Sequence, residues 1–266
     1  MVQTPVRAED WIDALMGDEF AIMAGLGVVT VSVFRGVKSI KLNPSVYGFI
    51  EIERGDIYGG MVTTPSSIAG EIRPFVLGYG GYAPSVGAFD FNIGARYYAF
   101  PASSPFDFDL DADGVIDHSG RKGFYEGFAG ATREFGKLQV RARAFYAPNV
   151  FGETGGAAYA NARVRAPIAH GFDVRADFGV SAFERSQFND DYVDYSVGIF
   201  KTLHGFDMFV RYSDTSGLAG SDDRVVVFGI EKAWSLAEDA AKHSYLRRKI
   251  RNRHWGADNA VFRNNR

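Results

Sequence analysis

The sequence predicts an all-β fold: a transmembrane, up-and-down antiparallel β-barrel of about twelve strands. Three observations lead there. Twelve segments alternate apolar and polar residues with a period of two, and most have the roughly 9–11 residues that a tilted strand needs to cross a bilayer. The connections between them are short at one end and mostly long at the other, the layout of bacterial outer-membrane barrels. No apolar run reaches the roughly 18–20 residues of a spanning helix, so any insertion into a membrane must use strands.

The expected strands are 20–34, 45–53, 57–64, 71–82, 88–99, 124–134, 137–146, 158–166, 172–183, 192–201, 206–213 and 224–234. The first is ambiguous, because Val28 to Val33 is apolar on both faces. The second half alternates most clearly. Leu138, Val140, Ala142 and Ala144 oppose Lys137, Gln139, Arg141 and Arg143, and downstream segments repeat the pattern with Arg163 and Arg165, then Asp173, Arg175 and Asp177. Connections after even strands are short (54–56, 83–87, 135–136, 167–171, 202–205), and those after odd strands are mostly longer (35–44, 65–70, 100–123, 148–157, 184–191, 214–223). Both termini then fall on the short-turn, periplasmic side.

Composition agrees. With 31 Gly, 23 Phe and 13 Tyr but only 9 Pro, the chain favours strands and tight turns over helices. A mean hydropathy of -0.11 is compatible with a membrane barrel, whose two faces average out. The absence of Cys excludes disulfides, thiol catalysis and thiolate metal sites. Periodicity alone does not say which face points inward, but volume does: an interior built from the Ala- and Gly-rich apolar face would leave a twelve-stranded barrel underfilled. Aromatics near strand ends (Phe89, Tyr97, Tyr98, Phe124, Phe145, Tyr146, Phe172, Tyr192, Phe206, Trp234) are expected in the interfacial girdles.

The net charge of -3 is unevenly spread. After Trp234 there are eight Lys or Arg against three acids, a net +5, which leaves -8 for the rest. Three regions are therefore expected: a periplasmic segment 1–19, the barrel 20–234, and a basic tail 235–266 able to form an amphipathic helix with Leu236, Ala240, Leu246 and Ile250. Met1 is followed by Val2, Gln3, Thr4 and Pro5 with no apolar segment or cleavage site, so the outer-membrane reading expects an export leader to have been replaced by the start Met.

Several segments carry a resemblance. They are Phe34-Arg35-Gly36-Val37, Val46 to Ile52 followed by Ile57-Tyr58-Gly59-Gly60, Tyr97-Tyr98-Ala99-Phe100-Pro101, and Phe124-Tyr125-Glu126-Gly127-Phe128-Ala129-Gly130. Downstream come Phe145-Tyr146-Ala147-Pro148-Asn149-Val150-Phe151-Gly152, Tyr192-Val193-Asp194-Tyr195-Ser196-Val197-Gly198, and Arg211-Tyr212-Ser213-Asp214-Thr215. In their order and spacing, over about residues 20–234, the chain resembles the TorF family of porins. The resemblance implies an outer-membrane barrel and carries no catalytic residues. The chain departs from it in the 32 residues after Trp234 and in a long, acidic 100–123 loop.

Two sets of site residues follow. Arg96, Arg141, Arg143, Arg163, Arg165, Arg175 and Arg211, with Asp173, Asp177, Asp194 and Asp207, share polar faces and are expected to line the pore, the basic seventh and eighth strands facing more acidic ninth to eleventh strands. In the long loop, Asp109, Asp111, Asp113 and Asp117, with the Val115 carbonyl and Gly114 at the turn, follow the spacing of an EF-hand-like calcium loop. Gly120 replaces its last, bidentate Glu, so calcium is expected as a weak ligand and no cofactor as a requirement.

No enzymatic chemistry is expected, because His118, His170, His204, His243 and His254 fall in loops, turns and tail, and none is paired with a Ser on an adjacent strand end. The expected function is passive diffusion of small polar or charged solutes across the outer membrane. The alternative is a non-conducting structural or interaction barrel with a filled lumen. Expected partners are outer-membrane lipids, small solutes and a periplasmic protein at the tail, and not nucleic acid.

Overall fold

The computed structural model describes residues 20–38, 44–68, 71–101, 106–108, 118–120, 123–150, 153–184, 190–218 and 223–235. Twelve long strands account for most of them: β1 (Phe20–Val29), β2 (Ser45–Arg54), β3 (Ile57–Ile68), β4 (Glu71–Tyr82), β5 (Phe89–Ala99), β6 (Phe124–Phe135), β7 (Leu138–Ala147), β8 (Ala157–Pro167), β9 (Phe172–Phe183), β10 (Tyr192–Leu203), β11 (Phe206–Ser216) and β12 (Val225–Ser235). Each pairs antiparallel with the next, and β12 returns to β1, from Met23 opposite Ser235 to Val29 opposite Gly229. The sheet is thus a closed barrel in which each of the twelve strands is paired on both edges, as a lipid environment without hydrogen-bonding water demands. The expected segment 1–19, the acidic stretch 109–117 and all of the expected tail 235–266 except Ser235, which ends β12, lie outside the described residues. A short antiparallel stem, Phe106–Phe108 with His118–Gly120, brackets that stretch.

The short turns have local causes. His204 and Gly205 both take positive φ, which a two-residue hairpin needs if its twist is to match that of the flanking strands.

Which face points outward is now plain. Val46, Ile50 and Ile52 on β2, Val197 and Ile199 on β10, and Val210 on β11 are all exposed, while Glu51, Arg96, Glu126, Arg141, Asp194 and Arg211 are buried on the opposite face. A water-soluble barrel would reverse this arrangement. An apolar belt around a charged interior requires an apolar solvent.

Two expectations need correction. The girdle holds for Phe89, Tyr97, Tyr146, Phe206 and Trp234, which are exposed, but Tyr98, Phe124, Phe145 and Tyr192 are buried. Within Tyr97-Tyr98 and Phe145-Tyr146 the pleat sends neighbours to opposite faces, so one ring of each pair has to enter the barrel. There Phe34, Phe75, Leu77, Tyr98, Phe100 and Phe124 form one apolar cluster, and Tyr58, Phe128, Phe145 and Tyr159 form another.

The first strand also ends at Val29, not at residue 34. Thr30 closes it, donating its amide to the Phe228 carbonyl and accepting the Phe228 amide on its hydroxyl. The chain then turns into the lumen, where Val33–Phe34 pairs with Val37–Lys38 around Arg35 and Gly36. The run apolar on both faces is explained: Val33, Phe34 and Val37 are buried inside the barrel, and Val33 packs with Val29, Phe209 and Val227.

Candidate functional site in the barrel lumen

The inserted hairpin is the centre of the site. Arg35 and Gly36 both have positive φ, so the tip is a tight two-residue turn that a glycine adopts freely and an arginine does not. The left-handed conformation costs an L-residue about 1–2 kcal/mol, so surrounding contacts must hold Arg35 in place. Its guanidinium pairs with Glu126 of β6 and lies 4.3 Å from the Tyr159 ring centre, 4.9 Å from Phe34 and 5.4 Å from Phe145. Burial disfavours its charge, but Glu126, Tyr98 and Tyr159 more than offset this, and the Arg35 pKa lies above its ordinary value. Gly36 presses so closely on Asp194 and Thr215 that a Cβ there would collide with them.

Glu126 serves more than Arg35. Its other oxygen lies 3.5 Å from Arg96 and accepts the Tyr98 hydroxyl at 3.1 Å. Arg96 in turn lies over Phe145 at 4.4 Å and Phe128 at 4.9 Å. Tyr159 donates to Asp194 at 3.3 Å. Around these groups lies a cavity lined also by Arg143, Asn161, Asp177, Ser196 and Arg211, with about 40 Å³ open to the centres of water molecules. About 10–15 Å³ suffices for one water, so this cavity beside the hairpin has room for a few waters.

All eleven residues expected to line a pore sit on the inner face. They do not form two opposed walls on β7–β8 and β9–β11, however. Arg163 meets Asp177 at 2.5 Å and Arg165 meets Asp173 at 2.7 Å, so the acids of β9 pair with the arginines of the adjacent strand. Arg143 donates to Asn161 at 3.3 Å, Arg175 stacks on Phe200 at 3.8 Å, and Asp207 accepts from Thr202.

The acidic wall lies elsewhere, on β2 and on β11–β12. Glu51 accepts from Tyr79 at 3.0 Å, Glu231 accepts from Tyr47 at 2.6 Å, and Asp207 stands opposite Glu231 in the register. With buried Glu53 these acids face inward. Glu51 and Glu53 were visible in sequence, since they alternate with exposed Ile50 and Ile52. Arg35 was not, because arginine is no usual turn-former at positive φ. Of the histidines, His170 and His204 occupy positive-φ turn positions.

Residues 15–238 match the bacterial family described as "Bacterial protein of unknown function (Gcw_chp)". The chain belongs to this family. No curated protein sequence matches it. Among solved structures, this member of the family is similar in fold to the COG4313 outer membrane channel from Pseudomonas putida F1, with 10% identity over 83% of this chain and 96% of that one, at a TM-score of 0.51. A more distant likeness, at a TM-score of 0.46 and 10% identity, is to the TodX deltaS2S3 mutant monoaromatic hydrocarbon channel, over 84% of this chain and 91% of that one. An identity of 10% bears on fold alone, and the likeness to the COG4313 channel agrees with an outer-membrane barrel architecture.

Proposed function

We propose that the protein is a porin-like channel of the Gram-negative outer membrane that passes small polar or charged solutes by passive diffusion, with the Val33–Lys38 hairpin narrowing the path. The observation that carries this reading is the pairing of an apolar exterior with buried acidic and basic side chains on the inner face of β2, β5, β6, β7, β10 and β11. A lining of this kind replaces part of an ion's hydration shell and sets which charges pass. The resemblance to the TorF porins supports the same reading. Twelve strands stand between small filled barrels and wide open ones, so a folded-in segment decides how much of the bore remains.

A second reading, a non-conducting structural barrel, is favoured by the small space left beside the hairpin. Single-channel recording in planar bilayers separates the two. Wild type is expected to show small, reproducible steps. A variant with residues 31–38 replaced by a Gly-Ser segment is expected to show larger ones. Silence from both, with folding verified by circular dichroism, removes the channel reading.

A further inference from the structure

The surroundings of Arg35 are those of a ligand site. A carboxylate oxygen faces the guanidinium, and the rings of Tyr159 and Phe145, contributed by different strands, lie 4.3 and 5.4 Å from it. Aromatic faces combined with a carboxylate are the recognition chemistry of organic cations, since ring quadrupole and anion both favour a weakly hydrated positive group. Asp194 adds negative charge beside the turn and polarises the Tyr159 phenol through their hydrogen bond. Arg96 approaches the opposite oxygen of Glu126, so the oxygen facing Arg35 is the one a second cation would use.

The occupant is attached by a strained backbone. Arg35 sits at φ +47, and the left-handed region is disfavoured for an L-residue other than glycine. Holding a guanidinium from a strained turn in this cage makes the occupant displaceable in a way that a side chain on a barrel strand is not.

We infer that the cage of Glu126, Tyr159, Phe145 and Asp194 is a binding site for a small organic cation, a guanidinium or alkylammonium group, and that Arg35 is its built-in occupant. As a statement about transported solutes this rests on the channel reading; as a binding site it stands on the cage alone. A free cation of this class competes with Arg35, and its binding loosens the hairpin from the lumen wall.

The test uses the full chain in detergent micelles and methylguanidinium as probe. Arg35→Gly removes the side chain while leaving a residue suited to the turn. By saturation-transfer NMR it is expected to bind methylguanidinium at least tenfold more tightly than wild type, and Glu126→Gln added to it is expected to lose at least tenfold. Equal binding by wild type and Arg35→Gly, no effect of Glu126→Gln, or preferential binding of acetate would overturn the inference. Should Arg35→Gly not fold, the wild-type Arg35 guanidinium ¹⁵N signals serve: slow exchange that is lost in Glu126→Gln supports the cage, and solvent-like exchange in both overturns it. In bilayers, current through Arg35→Gly that methylguanidinium does not block overturns the cage and leaves the channel standing. A silent membrane together with micellar binding overturns the channel and leaves the cage.

Discussion

Arg35 and Glu126, 91 positions apart in the chain, form an ion pair inside the barrel. Glu126 also lies beside Arg96, so one carboxylate serves two buried guanidiniums. Removing one partner of a buried pair costs about 3–5 kcal/mol, because the remaining charge stays desolvated. Glu126→Ala is therefore expected to destabilise the barrel by that amount in urea titration of the micellar protein. Arg35→Gly is expected to cost less, since Arg96 remains beside Glu126 and about 1–2 kcal/mol of backbone strain is relieved. The opposite order would show that the pair does not hold the hairpin.

The apolar exterior makes a separate prediction. Val197, in the middle of β10, is half exposed. If lipid surrounds it, Val197→Arg lowers stability by about 2–4 kcal/mol, the cost of an arginine near the bilayer midplane. Equilibrium folding into phosphatidylcholine vesicles measures this, and a neutral substitution would place that face in water.

Gly27 lies directly beneath the ring of Tyr47, whose hydroxyl donates to Glu231 at 2.6 Å. Any side chain at 27 has to push that ring from its place. Gly27→Val is expected to cost about 1–3 kcal/mol, the usual range for overpacking. Gly27→Val with Tyr47→Ala should recover part of the loss. Strict additivity of the two in denaturant titrations would mean that ring and glycine do not touch.

Ion selectivity tests the redrawn walls. Because Arg163 is already paired with Asp177, Arg141→Ala with Arg163→Ala is expected to shift the reversal potential in a salt gradient toward cations, and Glu231→Gln toward anions. Loop charges more than about 8 Å from the path are screened at physiological salt, so substitutions there should leave it unmoved. Unchanged potentials in both lumen variants would take these residues out of the conducting path.

The strand order and the facing of β7 could be read directly, because Leu138 to Ala144 alternates without interruption and a tight turn at 136–137 leaves its neighbour no other place to pair. The same parity sends Phe145 inward, yet the ring was assigned to the girdle by residue type, which says nothing about face. The arginine and aspartate sets of β8 and β9 were legible as charges but not as partners. Their pairing depends on register across the Pro167–Phe172 turn, which sets Arg163 opposite Asp177. The inserted hairpin was hidden for another reason: Val28 to Val33 is apolar on both faces whether it continues a strand or packs inside a barrel, and only long-range contacts distinguish the two.

Those long-range contacts bear on when the hairpin can form. It lies between β1 and β2, near the start of the chain, yet its tip rests on β6, β7, β8 and β10. Loop-closure entropy makes such distant contacts slow to form. The seam between β1 and β12 likewise joins the two ends of the barrel sequence. An assembling chain therefore carries Arg35 unsatisfied through most of its folding, and the docking of the tip reports that the other staves of the barrel are already in place.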